Sequence, residues 1–262
     1  MQLKYSAASH NGSRSSNQDN FRAGAGVPWA NLSTNFACKG SLDSRQLQVF
    51  CVCDGVGGAA MGDRASQNAL EAIARFLNIH AEDSEDQQLS LEDIAMQAAQ
   101  AAQDQVLHFY EHMNLAGGCT LVMALIQDDR YILLNIGDSP AFLYRRAADA
   151  VEELSQRHNL AGEKLRSGET PEPDDYCQLL RYLGKYGYSA ADMAFITEGT
   201  LEPGDRLLIC SDGVSEAFTP DALRLAMKRR RSAQIMTNRA AKKEYADNCT
   251  AVCIQVKRKG IF

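Results

Sequence analysis

The chain has 262 residues, 45% of them hydrophobic, which is enough apolar material for one large core. Its formal charge of −6 works against a nucleic-acid phosphate backbone as partner, since net repulsion would have to be reversed locally. With no internal repeat and no low-complexity linker, one domain over residues 1–262 is expected.

The opening stretch, MQLKYSAASHNGSRSSNQD, lacks the apolar core of a secretory signal. No later run approaches the roughly 20 apolar residues that cross a bilayer. A soluble, cytoplasmic monomer without membrane contact is the expectation. Within SRSSNQDNF, Arg14 stands five residues before Asp19, offering a cation beside a carboxylate, and an arginine fork suits a phosphate dianion.

Short β-rich runs follow along the chain: LQVFCVCD, CTLVMALIQ, RYILLNIGDS, AFLYRR, DRLLICSDG and TAVCIQV. Most are apolar on successive residues, so their strands should be covered on both faces. Helices are expected from about Asp63 to Asn78 and from about Leu91 to Met113, with the acidic stretch His80 to Gln88 as the loop between them. In the second helix Leu91, Ala95, Ala98, Ala102, Phe109 and Met113 form a core stripe, and Gly117-Gly118 reads as the stop. An irregular region from about Gln156 to Ala194 comes before a strand, a helix and a final strand. Paired antiparallel sheets with helices outside accommodate this order. Cys51, Cys53, Cys119, Cys210, Cys249 and Cys253 lie in or beside the apolar runs and read as buried reduced thiols; no CxxC occurs.

Four aspartates mark the mouths of these strands. Asp54 follows VFCVC, Asp138 follows YILLNIG, Asp212 follows RLLICS, and Asp247 stands just ahead of CTAVCIQV. Neighbouring strands would bring them to one rim, where their repulsion, on the order of several kcal/mol, calls for protons or cations. Oxygen-only ligands suit magnesium or manganese, and no histidine flanks any of the four. The glycines after Asp54 and Asp212 would let backbone carbonyls and metal-bound waters approach closely. A site with dications, an arginine and no protein nucleophile points to phosphoester hydrolysis by metal-activated water. No cysteine is followed six positions on by arginine, and no Asp-x-Asp pair occurs, which excludes the thiol and aspartyl-phosphate routes.

Taken together, GSRSSNQDNF, FCVCDGVGGAAMGDRAS, GGCT, LNIGDSPAFLY, LLRYLG, LEPGDRLLICSDGVSEAF and DNCTAVCIQV resemble, in order and over nearly the whole chain, the metal-dependent protein phosphatases of the type 2C (PPM) family, bacterial branch. The resemblance implies an α+β fold, a four-layer αββα sandwich of two mainly antiparallel sheets flanked by helices. It also implies a binuclear Mn²⁺ or Mg²⁺ centre that hydrolyses phosphoserine and phosphothreonine in proteins, with a serine/threonine kinase as counterpart. By position, Asp54 looks like the bridging metal ligand and Gly55 the carbonyl ligand, with Asp212 and Asp247 completing the first metal and Asp19 acting through water. Asp138 is similar to the aspartate that, with the SDG aspartate, holds a third, weaker ion; Arg14 resembles the phosphate-binding arginine, and Asn17 and Asn248 would brace the loops.

Val56 departs from the pattern, standing where many eukaryotic members have a histidine thought to protonate the leaving group, so here that proton would come from metal-bound water. The Ala23 to Gln46 segment is long for a hairpin loop, and Gln156 to Ala194 matches the family's flap only loosely, which makes substrate choice the least transferable inference. Rival motifs have plainer accounts. HFYEH, from His108 to His112, fits an inverted zinc-protease pattern but reads as a solvated helix end. KRRR, Lys228 to Arg231, lacks interleaved aromatics and reads as a solvated helical face, and His158 reads as a structural histidine. The alternative function is an inactive pseudophosphatase serving as a docking or regulatory module, against which stand the intact ligand positions.

Overall fold

The computed structural model describes residues 1–24, 35–56, 61–82 and 89–258, the side chains of 80–82 excepted. Its apolar runs become strands whose alternate residues serve different cores. A six-stranded sheet has the order β3 (Phe36–Asp43), β1 (Gln2–His10), β11 (Cys249–Lys257), β10 (Arg206–Cys210), β7 (Ala141–Arg145), β8 (Ala150–Glu153). A five-stranded sheet has the order β2 (Asn20–Ala23), β4 (Gln48–Cys53), β5 (Leu121–Gln127), β6 (Arg130–Ile136), β9 (Phe195–Thr200). All the pairings within both sheets are antiparallel.

Because side chains alternate across a strand, Phe50 and Val52 of β4 join Val252, Ile254, Leu207 and Ile209 between the two sheets. Cys51 and Cys53 face the other way, into the core beneath α1 (Gly62–Glu82) and α2 (Leu91–Met113). On the far side, Leu208, Cys210, Ala251 and Cys253 pack under α5 (Asp212–Ser215), α6 (Pro220–Met227) and α7 (Ser232–Ala240). The result is the four-layer αββα sandwich. The eight cysteines are free thiols, and the six in the apolar runs are buried. No helix among the described residues is long and apolar enough to cross a membrane.

Several expectations change in detail. The polar start, for which no strand is expected, forms β1, and β3 fills part of the Ala23 to Gln46 segment, of which 25–34 lie outside the described residues. Helix α1 continues to Glu82, so the first part of the expected acidic loop is helical; residues 83–88 also lie outside the description. Helix α2 begins at a capping box on Ser90 and Asp93, but its buried stripe is Ile94, Ala95, Ala98, Ala99, Ala102, Val106 and Tyr110. Met113 is exposed and Phe109 only half-buried, because the run of alanines is the face that lets α2 lie close to the sheet. That helix stops at Asn114, whose left-handed φ of 51° caps it, before the glycines are reached. Gly118 serves another purpose, since a Cβ there would lie 2.0 Å from Leu183 O, in the bridge where Cys119 and Leu183 exchange hydrogen bonds of 2.8 and 3.1 Å.

The Gln156 to Ala194 region is not wholly irregular: it holds α3 (Leu160–Ser167), a 3₁₀ turn (Pro173–Cys177) and α4 (Ala190–Met193). Three helices rather than one separate β10 from β11, and Lys228 to Arg231 form the turn between α6 and α7 rather than a helical face.

His158 sits where this region leaves the sheet. It is fully buried, its Nδ1 accepts the Gly137 N–H at 3.2 Å, and its own N–H donates to Gly137 O at 3.1 Å. A proton on Nδ1 would oppose that first bond. Burial above all, then the charges of Arg181 and Arg166, hold the imidazole down at about 4 against its ordinary 6.5. Between those values the unfolded chain binds a proton that the folded chain refuses. Stability from this group is therefore complete above pH 6.5 and falls as pH drops toward 4, by about 3 kcal/mol. Urea melts across this window are expected to show that loss in the native protein and to lack it in His158→Gln, which retains an acceptor for the Gly137 N–H.

Candidate metal centre

Each sheet edge delivers its aspartate on a fixed backbone. Asp54 leaves the end of β4 with its N–H on Thr120 Oγ1 at 3.0 Å and its C=O accepting the Thr120 N–H at 2.7 Å. Thr120 Oγ1 is in turn 2.7 Å from Ser139 Oγ, beside Asp138. Asp19 precedes β2, its N–H on Asn17 Oδ1 at 3.1 Å and its Oδ2 accepting from Ser211 Oγ at 2.8 Å. Ser211 Oγ also accepts the Thr250 N–H at 2.9 Å, so one hydroxyl joins β10, β11 and the loop before β2. Asp212 opens α5 immediately after Ser211.

The two asparagines brace these loops as expected. Asn248 accepts the Gln18 N–H at 2.8 Å and donates to Asn11 O and Ser16 O, both at 2.9 Å. Asn17 donates to Ser9 Oγ at 2.8 Å. The glycines after Asp54 and Asp212 admit backbone carbonyls closely, as expected. A Cβ on Gly55 would fall 2.6 Å from the Gly62 backbone, and one on Gly213 would fall 2.2 Å from Asn248 O. These close approaches lock Asp54 to the start of α1 and Asp212 to the start of β11.

The five carboxylates feel one another. Asp54 is pushed well above the usual carboxylate range, first by burial and then by the charges of Asp19, Asp212, Asp138 and Asp247. Burial also lifts Asp19 to about 7, with Asp212 adding to the rise while the Ser211 hydrogen bond opposes it. Asp138 is lifted to about 7 by burial and then Asp212, against the Asn159 Nδ2 bond to its Oδ2 at 3.1 Å. Asp212 is raised by burial and by Asp247. Asp19 and Asp138 are buried, Asp54 and Asp212 half-buried, and Asp247 stands exposed at the rim.

Arg14 reaches this rim, but its partner is not Asp19: Nη2 donates to Asp247 Oδ2 at 2.7 Å. A second cation had no signal in the sequence reading. Arg157, whose Nε donates to Glu153 Oε1 at 3.0 Å, exerts its charge on both Asp138 and Asp212. Thr120, Ser139, Ser211 and Asn159 are likewise supports that only the three-dimensional contacts disclose, although Thr120 lies in GGCT and Ser211 precedes the SDG aspartate.

The donor set fits hard divalent cations: it is all oxygen, and the buried Oδ1 of Asp19 has no hydrogen-bond partner. Among the described residues no three His, Cys, Asp or Glu side chains stand at the spacing of a finished metal cage. Asp247 illustrates why, with one oxygen turned to Arg14 and the other accepting the Asn248 N–H at 2.7 Å. His108 and His112 are exposed and stack on each other at 6.5 Å, as a solvated helix end would.

Comparison with known proteins adds independent findings. The family model for protein phosphatase 2C matches residues 8–248. The serine/threonine phosphatase stp of Listeria innocua is 28% identical over 221 residues, covering 79% of this chain and 84% of that protein. The serine/threonine protein phosphatase PstP of Mycobacterium tuberculosis is 26% identical over 233 residues, 86% of this chain but 39% of that longer protein. The crystal structure of the PstP catalytic domain in complex with two manganese ions superposes with a TM-score of 0.75 at 22% identity, over 98% of this chain and all of that one, a likeness of fold. With a sequence match across most of its length and the sandwich to go with it, the chain belongs to the protein phosphatase 2C family of metal-dependent protein phosphatases.

Proposed function

We propose that this enzyme hydrolyses phosphoserine and phosphothreonine esters in proteins at a binuclear Mn²⁺ or Mg²⁺ centre. The observation that carries the reading is the convergence of Asp19, Asp54, Asp138, Asp212 and Asp247, far apart in sequence, into one mutually repelling group. A phosphate dianion approaching such a group meets repulsion that a single arginine cannot offset, so the site requires cations before it can take its substrate. Relatives named as serine/threonine phosphatases and a neighbour crystallised with two manganese ions support the same chemistry.

In this reading Asp54, the Gly55 carbonyl, Asp212 and Asp247 would hold the ions directly, and Asp19 would contribute through a water molecule. Bound there, such ions would acidify a water molecule so that it can attack phosphorus near neutral pH. The chain's own contribution is placement. Thr120 and Ser211 hold Asp54 and Asp19 against their mutual repulsion. Arg14, exposed at the rim, swings its fork from Asp247 to two phosphate oxygens and holds the ester in place. Phosphorylated proteins are the substrates, and a serine/threonine kinase is the implied counterpart.

Cleavage of p-nitrophenyl phosphate and of a phosphothreonine peptide is expected only with Mn²⁺ or Mg²⁺, and Asp54→Asn or Asp212→Asn should lower kcat/KM by at least about a thousandfold. Metal-loaded protein that turns over neither substrate would favour the docking-module reading instead. Binding is read separately from turnover: Mn²⁺ at about 100 times its Kd should stabilise the native protein by about 2.7 kcal/mol, several degrees in Tm, and this shift should vanish in Asp54→Asn. Arg14→Ala should raise KM at least about tenfold, since its charge-assisted hydrogen bonds to the phosphate are lost, while the Mn²⁺-dependent Tm shift persists.

A further inference from the structure

Gln103 is the one amide side chain among the buried residues of α2, 1% exposed beside Ala102 and Val106. A buried amide costs stability unless its hydrogen bonds are made. Those of Gln103 go to a single stretch of backbone: Oε1 accepts the Gly184 N–H at 2.8 Å, and Nε2 donates to Lys185 O at 3.0 Å and to Tyr188 O at 2.9 Å. That stretch belongs to neither helix nor strand, so one side chain takes the place of the ladder partner its backbone lacks.

Backbone alone joins this stretch to the candidate metal centre. Leu183, just before Gly184, donates its N–H to Cys119 O at 2.8 Å and accepts the Cys119 N–H at 3.1 Å. Gly184, at a φ of 94°, is wedged so closely that a Cβ would lie 2.8 Å from Gly117 O and 2.9 Å from Val106 Cγ1. On the other side of the same short ladder Gly118 O accepts the Val56 N–H at 3.0 Å, Gly55 forms a bridge with Cys119, and Asp54 O accepts the Thr120 N–H at 2.7 Å. Residues 118–120 are thus the middle of a ladder that runs on past β4 and β5, with Asp54 to Val56 along one side and Leu183 along the other. Gln103 grips the outer member of that ladder from the helix. Gln100, one turn earlier, accepts the Ala190 N–H at 2.8 Å, at the start of α4 and away from the ladder.

We infer that Gln103 is a positioning residue for the candidate metal centre: by fixing Gly184 and Leu183 it steadies the Cys119 ladder, and through it the segment that carries Asp54 and the Gly55 carbonyl. The inference rests on the binuclear centre proposed above. Loss of a support outside the ligand shell lowers metal affinity by about ten- to a hundredfold in metal sites generally. Gln103→Met keeps an unbranched side chain of similar length and removes all three hydrogen bonds.

Mn²⁺ titration by calorimetry tests this without any activity measurement, with thermal melts of the metal-free proteins as the check on folding. The Kd is expected to rise about tenfold in Gln103→Met and to keep its native value in Gln100→Met, which loses a glutamine bond to the far end of the same loop. A native Kd in folded Gln103→Met, or an equal rise in both variants, would overturn the assignment and leave the binuclear centre standing. No Mn²⁺ binding by the native protein would overturn the centre and the assignment with it. Amide exchange in the native, metal-free protein keeps the test open should Gln103→Met not fold. The N–H groups of Gly184, Cys119, Thr120 and Val56 are expected to open as one unit at low urea, and protection of Thr120 and Val56 that outlasts the opening of Gly184 would overturn the assignment.

Discussion

Like-charge repulsion among five carboxylates is the constraint around which this molecule is organised. Left to themselves, Asp19, Asp54, Asp138, Asp212 and Asp247 would separate or take up protons, and burial makes their ionised forms costlier still. What keeps them together is backbone: the Ser211 hydroxyl ties the loop before β2 in one sheet to β11 in the other, and the Thr120 hydroxyl ties Asp54 to the neighbouring strand end of its own sheet. The electrostatic cost is carried by the apolar layers, since Phe50, Val52, Ile209 and Val252 between the sheets cannot shift without opening the core. The repulsion among these carboxylates is thus met when the chain folds.

Glycine permits the close backbone approaches on which this arrangement depends. Gly55 and Gly213 leave room for the carbonyls of Gly62 and Asn248, so that each aspartate-bearing loop is pressed directly against the next element's backbone. A site assembled from loops thereby gains the stiffness of the strands that flank it.

Much of this was legible in the sequence because a buried strand has a strong signature. Runs such as VFCVC and LLIC, apolar on every residue, need cover on both faces, and a sudden Asp-Gly close behind them has few other uses. Strand β1 was not legible: in QLKYSAASH the residues facing away from the inter-sheet core include Lys4 and Ser6, and Ala and Ser carry little strand preference. The stripe of α2 was misplaced because alanine is ambiguous between a buried face and mere helix propensity, and contact with the sheet decided for Ala99 and Val106 over Phe109 and Met113. The anchoring of the run SQRHNL left no trace in the sequence, since Gln156, His158 and Asn159 find their partners only when Asn135, Gly137 and Asp138 are brought alongside.

The distribution of thiols has a practical side. Six cysteines are sealed within the layers, where burial pushes Cys51, Cys53, Cys210, Cys249 and Cys253 upward and away from the reactive thiolate. Cys38 is half-buried and similarly quieted, which leaves Cys177, exposed in the 3₁₀ turn, as the thiol an alkylating dye meets first. Its neighbour Tyr176 is held through its carbonyl by Asn159 at 3.2 Å, the same amide that touches Asp138. The native polypeptide thus carries, one residue from the carbonyl that Asn159 holds, an attachment point for a fluorophore or spin label that needs no cysteine to be removed or introduced.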